Sequence, residues 1–147
     1  MLDRPENAGA LAYLSHGRPA SEATFGPMPP GVDRLHLGTH PDIVDLLWDT
    51  INAALPADAR WLVFDGPALV HPASRVILAT GIGTSYALRL VAADLESAIA
   101  AGLPRTHAFR TTGTALDLSA TFGADWIFGG FDPREPGWLR ATYEAWS

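Results

Sequence analysis

Between residues 60 and 90 the chain passes through RWLVFDG, RVILAT and SYALRL, apolar segments with no stretch between them long enough for a helix. Parallel strands need a crossover of roughly a dozen residues or more, whereas antiparallel strands need only a turn. This run therefore argues for an antiparallel sheet and against a doubly wound parallel one. The first segment, residues 60–66, is apolar throughout between turn signals, as a strand buried on both faces would be, so the sheet is expected to be covered on both sides. Residues 68–70 can add a short strand. Gly81, Ile82 and Gly83 offer a three-residue hairpin loop, with Gly83 supplying the left-handed conformation. In the strand that follows, Tyr86, Leu88 and Leu90 alternate with Ser85, Ala87 and Arg89, giving one apolar face and one of small residues carrying a single arginine.

Helical patterns flank this run. Residues 39–55 carry Ile43, Leu47, Ile51 and Ala54 at helical spacing, with Thr39 as the expected cap, Pro41 in the first turn and Pro56 as the stop. Asp42, Asp45, Asp49 and Asn52 take the outer face. A second helix is expected over residues 91–101, ended by Gly102 and Pro104. A third should begin near Pro136 and present Trp138, Leu139, Thr142, Tyr143 and Trp146 on one face. Weaker strands are read at residues 106–111 and 125–131, and residues 113–123 fit either a helical turn or a loop. Residues 1–38 are rich in Gly, Pro and small polar residues and read as a loop-rich N-terminal arm; the PxxP spacing of Pro27 and Pro30 is taken as plain loop. With 147 residues in all, the expectation is an α+β chain with one globular domain over 39–147, a mostly antiparallel sheet of about five strands and three helices.

Composition narrows the chemistry. There is no Cys, Lys or Gln, and all ten basic residues are Arg. That excludes disulfides, thiolate nucleophiles, Schiff-base lysines and a Walker-type phosphate loop. Arginine without lysine in an alanine-rich chain is also what GC-rich bacterial codon usage produces. A net charge of −6 with scattered arginines argues against nucleic acid as partner. No apolar run reaches the roughly 20 residues of a membrane span. Asp3 and Glu6 stand where a signal peptide wants positive charge, so a cytoplasmic location with no membrane partner is expected.

Several residues are candidates for a site. His71 and Ser74 flank Pro72-Ala73 and could be read as base and nucleophile, but a type I β-turn brings them close without catalysis and nothing nearby would orient the imidazole, so no catalytic residue is expected. His36 and His40 have metal-ligand spacing, but Gly38 and Pro41 oppose a helix there, and with His16, His71 and His107 unplaced no metal or other cofactor is expected. GIGTSY lacks the following helix of a phosphate cradle. Asp65, Asp117 and Asp125 read as strand-end residues that bond turns. Arg89, with Tyr86, could hold an anionic small molecule above the hairpin of residues 75–90 if that face is open. The outer aspartates Asp42, Asp45 and Asp49, and the terminal Trp146 among five tryptophans, could face a protein partner. No constellation demands an enzyme. The reading favoured is a non-enzymatic, acidic interaction module of accessory or immunity type that binds another protein, with self-association open; a small enzyme or ligand-binding domain is the alternative.

Overall fold

The antiparallel run forms the centre of a larger sheet. A computed structural model describes residues 2–15, 25–103, 108–111, 114–117, 122–129 and 137–147. Strands β1 (Phe25–Pro27), β2 (Arg60–Val63), β3 (Gly66–Val70), β4 (Ile77–Ile82), β5 (Ser85–Arg89) and β8 (Trp126–Gly129) make one six-stranded antiparallel sheet in the order β1-β2-β3-β4-β5-β8. The fold is thus α+β as expected, with six strands in place of about five. The additional one is β1, which pairs Phe25 with Val63 and Pro27 with Trp61. Three residues show no periodicity, and a proline is tolerated there because β1 is an edge. Strands β6 (Ala108–Thr111) and β7 (Thr114–Asp117) form a separate hairpin, so part of the ambiguous stretch is extended.

The turns differ from the sequence reading for local reasons. The first long strand stops at Val63, which pairs with Gly66 across a two-residue turn of Phe64 (φ 48°) and Asp65 (φ 64°). Positive φ at both positions is the mark of the tight turn that suits strand twist. Phenylalanine is an unusual occupant, and its ring is held by burial against one face of the sheet. The β4–β5 hairpin also closes in two residues, Gly83 and Thr84, since Ile82 pairs with Ser85.

The helices are α1 (Ala8–Ser15), α2 (Pro41–Asp45, continuing as a π-helical segment Leu46–Ile51), α3 (Ala92–Ala100) and α4 (Trp138–Ala145). Helix α1 and the 3-10 turn Pro5–Asn7 before it lie in the segment expected to be an extended arm. Alanine and leucine favour helix, and burial of Leu2, Ala10 and Leu14 fixes it, which the Gly and Pro content obscured. The cap of α2 is His40, whose Nδ1 accepts from the Asp42 amide at 3.1 Å. Thr39 is instead buried and bridges Gly83, while the His40 amide donates to the Gly83 carbonyl at 2.7 Å. Gly102 (φ 95°) ends the α3 region as expected. Helix α4 starts at Trp138, behind Gly137. Pro104 and Pro136 lie outside the described residues.

Both faces of the sheet are covered. On one face, Ile43, Leu47 and Ile51 of α2 and Leu139 and Tyr143 of α4 pack with Leu62, Leu69, Leu78, Tyr86, Leu88 and Ile127. On the other, Ala10 and Leu14 of α1 pack with Trp61, Val63, Val70, Ile77, Trp126 and Phe128. Tyr86 lies across Gly129, its cross-strand partner, so closely that a Cβ at residue 129 would collide with the phenol ring. Because Tyr86 is fully buried, the ring has nowhere to go. Gly129→Ala should therefore cost about 1–3 kcal/mol by overpacking, read from the denaturant midpoint; a change under about 0.5 kcal/mol would mean the ring moves freely.

Candidate functional site

Arg89 is where a charge is least expected, inside the sheet face that α1 covers. Its side chain is 5% exposed, and Trp126, its cross-strand neighbour, lies beneath the guanidinium at 4.9 Å. Nε donates to the Ile77 carbonyl at 2.9 Å, Nη1 to Asp125 Oδ2 at 3.0 Å and Nη2 to the Glu6 carbonyl at 2.8 Å. Burial pulls its pKa down, and Asp125 acts in the opposite direction. The small-residue face that an anion would need open is closed by α1, and the guanidinium fork serves the fold. Tyr86 points to the opposite face, so the structure does not bring the two proposed ligand-binding residues together. Asp125 has a role that strand-end reading alone did not give: it neutralises this arginine.

His71 and Ser74 sit in the turn between β3 and β4. The Arg75 amide donates to the His71 carbonyl at 3.0 Å, which closes a five-residue turn, with Arg75 at φ 64°. That is one residue longer than the type I β-turn expected. The His71 Nδ1 accepts from the Ala73 and Ser74 amides at 3.0 and 3.2 Å, and Ser74 Oγ accepts from the Val76 amide at 3.4 Å. The ring nitrogen a nucleophile would need as base is occupied by the backbone. Arg75 crosses the Trp61 ring at 5.0 Å.

The outer surface of α2 has a different character. Arg34, in the 3-10 turn Arg34–His36, reaches across to Asp45 at 2.8 Å and to Asp49 at 2.8 and 3.1 Å, and stacks 5.4 Å from the Trp48 ring. This holds the Asp49 carboxyl below the usual range. Asp33 accepts from the Leu35 amide at 2.9 Å and lies 2.6 Å from His36 Nδ1, and the first of these contacts is the main reason its pKa is lowered. The turn is thereby pinned against α2 with Leu35 pointing outward, 72% exposed. Asp42, three residues before Asp45 on the same face, is exposed beside His40. Asp42, Asp45 and Asp49 are all exposed on this helix, and the turn beside it carries Asp33 and Leu35, also exposed. Sequence reasoning missed Leu35 because a lone apolar residue in an irregular stretch carries no periodicity.

The remaining candidates disperse. Trp146 is half-buried at the end of α4, packed against the core, with Arg4 5.8 Å from its ring. Among the described residues no group of three His, Asp or Glu side chains gathers as a metal site. His16 and His107 lie outside the described residues, and the side chain of Asp117 is not described. No described helix is long and apolar enough to cross a membrane. The chain matches no family model, no curated protein and no solved structure.

Proposed function

We propose that this chain is a non-enzymatic interaction module, of accessory or immunity kind, that docks a basic protein surface through the outer face of α2 and the 3-10 turn beside it. The observation that carries the reading is Leu35, a large apolar side chain held in water by hydrogen bonds on either side, on a turn that carries Asp33 and is tied by Arg34 to a helix exposing Asp42, Asp45 and Asp49. An apolar centre with a charged rim is the general plan of a protein contact: burial of the centre supplies affinity and the rim supplies steering and choice of partner. Arg34 bridges Asp45 and Asp49, and Arg60, paired with Asp58, lies within electrostatic reach of Asp49; Asp33, Asp42, Asp45, Asp49 and Asp58 still outnumber these two guanidiniums, which favours a partner bearing Lys or Arg. Burying a leucine side chain is worth about 1.5–3 kcal/mol, so Leu35→Glu should weaken partner binding at least about tenfold while leaving the thermal midpoint unchanged. Asp42→Arg should slow association and flatten its salt dependence. Binding that is indifferent to both substitutions would refute this surface.

A further inference from the structure

The β3–β4 turn is held by an imidazole in the role that Asn or Asp oxygen usually fills. Ala73 and Ser74 both give their amides to Nδ1 of His71, which must be unprotonated to accept them. The ring is buried, 3% exposed, and lies 4.3 Å from the ring of Tyr143 on α4. Nε2 is buried as well and has no hydrogen-bond partner in good geometry. Two further contacts converge on the same turn from the N-terminal segment: Arg4 donates to the Ser74 carbonyl at 3.3 Å and Asn7 to the Arg75 carbonyl at 2.8 Å. The turn is therefore the place where the sheet, α4 and the N-terminal segment meet.

We propose that this turn is an acid-released latch, closed by the neutral imidazole of His71 and opened when Nδ1 takes up a proton and can no longer accept from Ala73 and Ser74. Opening withdraws the turn from Tyr143 and loosens the seat of Arg4. Burial lowers the His71 pKa, with the Tyr143 backbone acting weakly in the other sense. The sign follows: the unfolded chain takes the proton first, so the contribution of His71 to stability is whole above the ordinary histidine range near pH 6.5 and is lost as pH falls toward the lowered folded value. The other groups around the turn that titrate or carry charge are Tyr143 from α4, Arg75 in the turn itself, and Arg4 with Glu6 from the N-terminal segment. Glu6 is held below the usual carboxylate range by its hydrogen bond from Arg4, and that bond raises Arg4 in turn. Ser74 is neutral. Within this cluster the imidazole of His71 is the group whose protonation removes the acceptor that holds the turn.

The test is hydrogen exchange of the Ala73 and Ser74 amides in the full chain, expressed as protection factors from pH 7.5 to 5, with the His71 ring followed by NMR in the same samples. Protection of both amides should fall about tenfold in step with protonation of His71, before global unfolding. In His71→Asn the side-chain oxygen accepts at every pH, so protection should be independent of pH. Protection that stays flat while His71 titrates, a ring that titrates only with global unfolding, or an equal loss in His71→Asn would each overturn the latch. Should His71→Asn fail to fold, the wild-type comparison of ring and amide titrations decides alone.

Discussion

Arg89→Ala is expected to lower the free energy of unfolding by about 3–5 kcal/mol, which for a chain of this size is a large share of the total. The loss has separable sources. The carbonyls of Ile77 and Glu6 each lose a charged donor. Asp125 loses its cation, and Trp126 loses the guanidinium that covers its ring. Because Arg89 is nearly fully buried while the Asp125 side chain is 44% exposed, the desolvated carbonyls and the vacated space should outweigh the ion pair itself. Arg89→Lys should recover little, since a point charge on a shorter reach cannot serve the carbonyls of Ile77 and Glu6 and the Asp125 carboxylate together. Equilibrium denaturation at constant m-value gives the number. A loss below about 1 kcal/mol would show that water replaces the fork and that Arg89 is not a structural residue.

Asn7→Ala should cost about 2–4 kcal/mol by a related route. Asn7 is fully buried, yet every one of its amide contacts goes to backbone: Oδ1 accepts from the Ile77 amide at 2.8 Å, and Nδ2 donates to the carbonyls of Arg75 at 2.8 Å and Leu2 at 3.3 Å. The Ile77 amide and Arg75 carbonyl lie beside the register shift in the pairing of β3 and β4, where the regular ladder is interrupted. Asn7→Asp should be no better, because a carboxylate accepts from Ile77 but faces the Arg75 carbonyl with a second acceptor. Asn7 and Arg89 take opposite ends of the same residue, Ile77, one its amide and the other its carbonyl. A double-mutant cycle should therefore give a coupling above about 0.5 kcal/mol, and strict additivity would contradict a shared network.

These long-range contacts also explain what could be read from the sequence. The meander from β2 to β5 was legible because apolar runs and turn residues act within a few positions. Local logic misplaced its turns where a residue acted against type, as Phe64 does in a left-handed turn. The first helix was hidden because alanine, glycine and serine fit a loop as readily as a helix until the buried Asn7 and Leu14 fix it. Arg89 stood out as the lone charge on an apolar strand, which was correct, but whether a ligand or the fold would satisfy it depended on Glu6 and Asp125, at separations of 83 and 36 residues. For the surface proposed to bind a partner, the aspartate row followed from helical spacing. The placement of Leu35 depended on Arg34 folding back on residues 11 and 15 positions away, which no pattern in the loop announces.

Leu35 and the carboxylates beside it are proposed to contact another protein. Site-specific photo-crosslinking from position 35 in the native cell, with position 99 as a comparison because Ile99 is the other large apolar side chain exposed among the described residues, tests this contact most directly. A discrete adduct is expected from position 35, mapped by mass spectrometry to a Lys- or Arg-bordered site on one protein and lost when Asp42 and Asp45 are reversed to Arg. No adduct from position 35, or the same adducts from position 99, would contradict the contact.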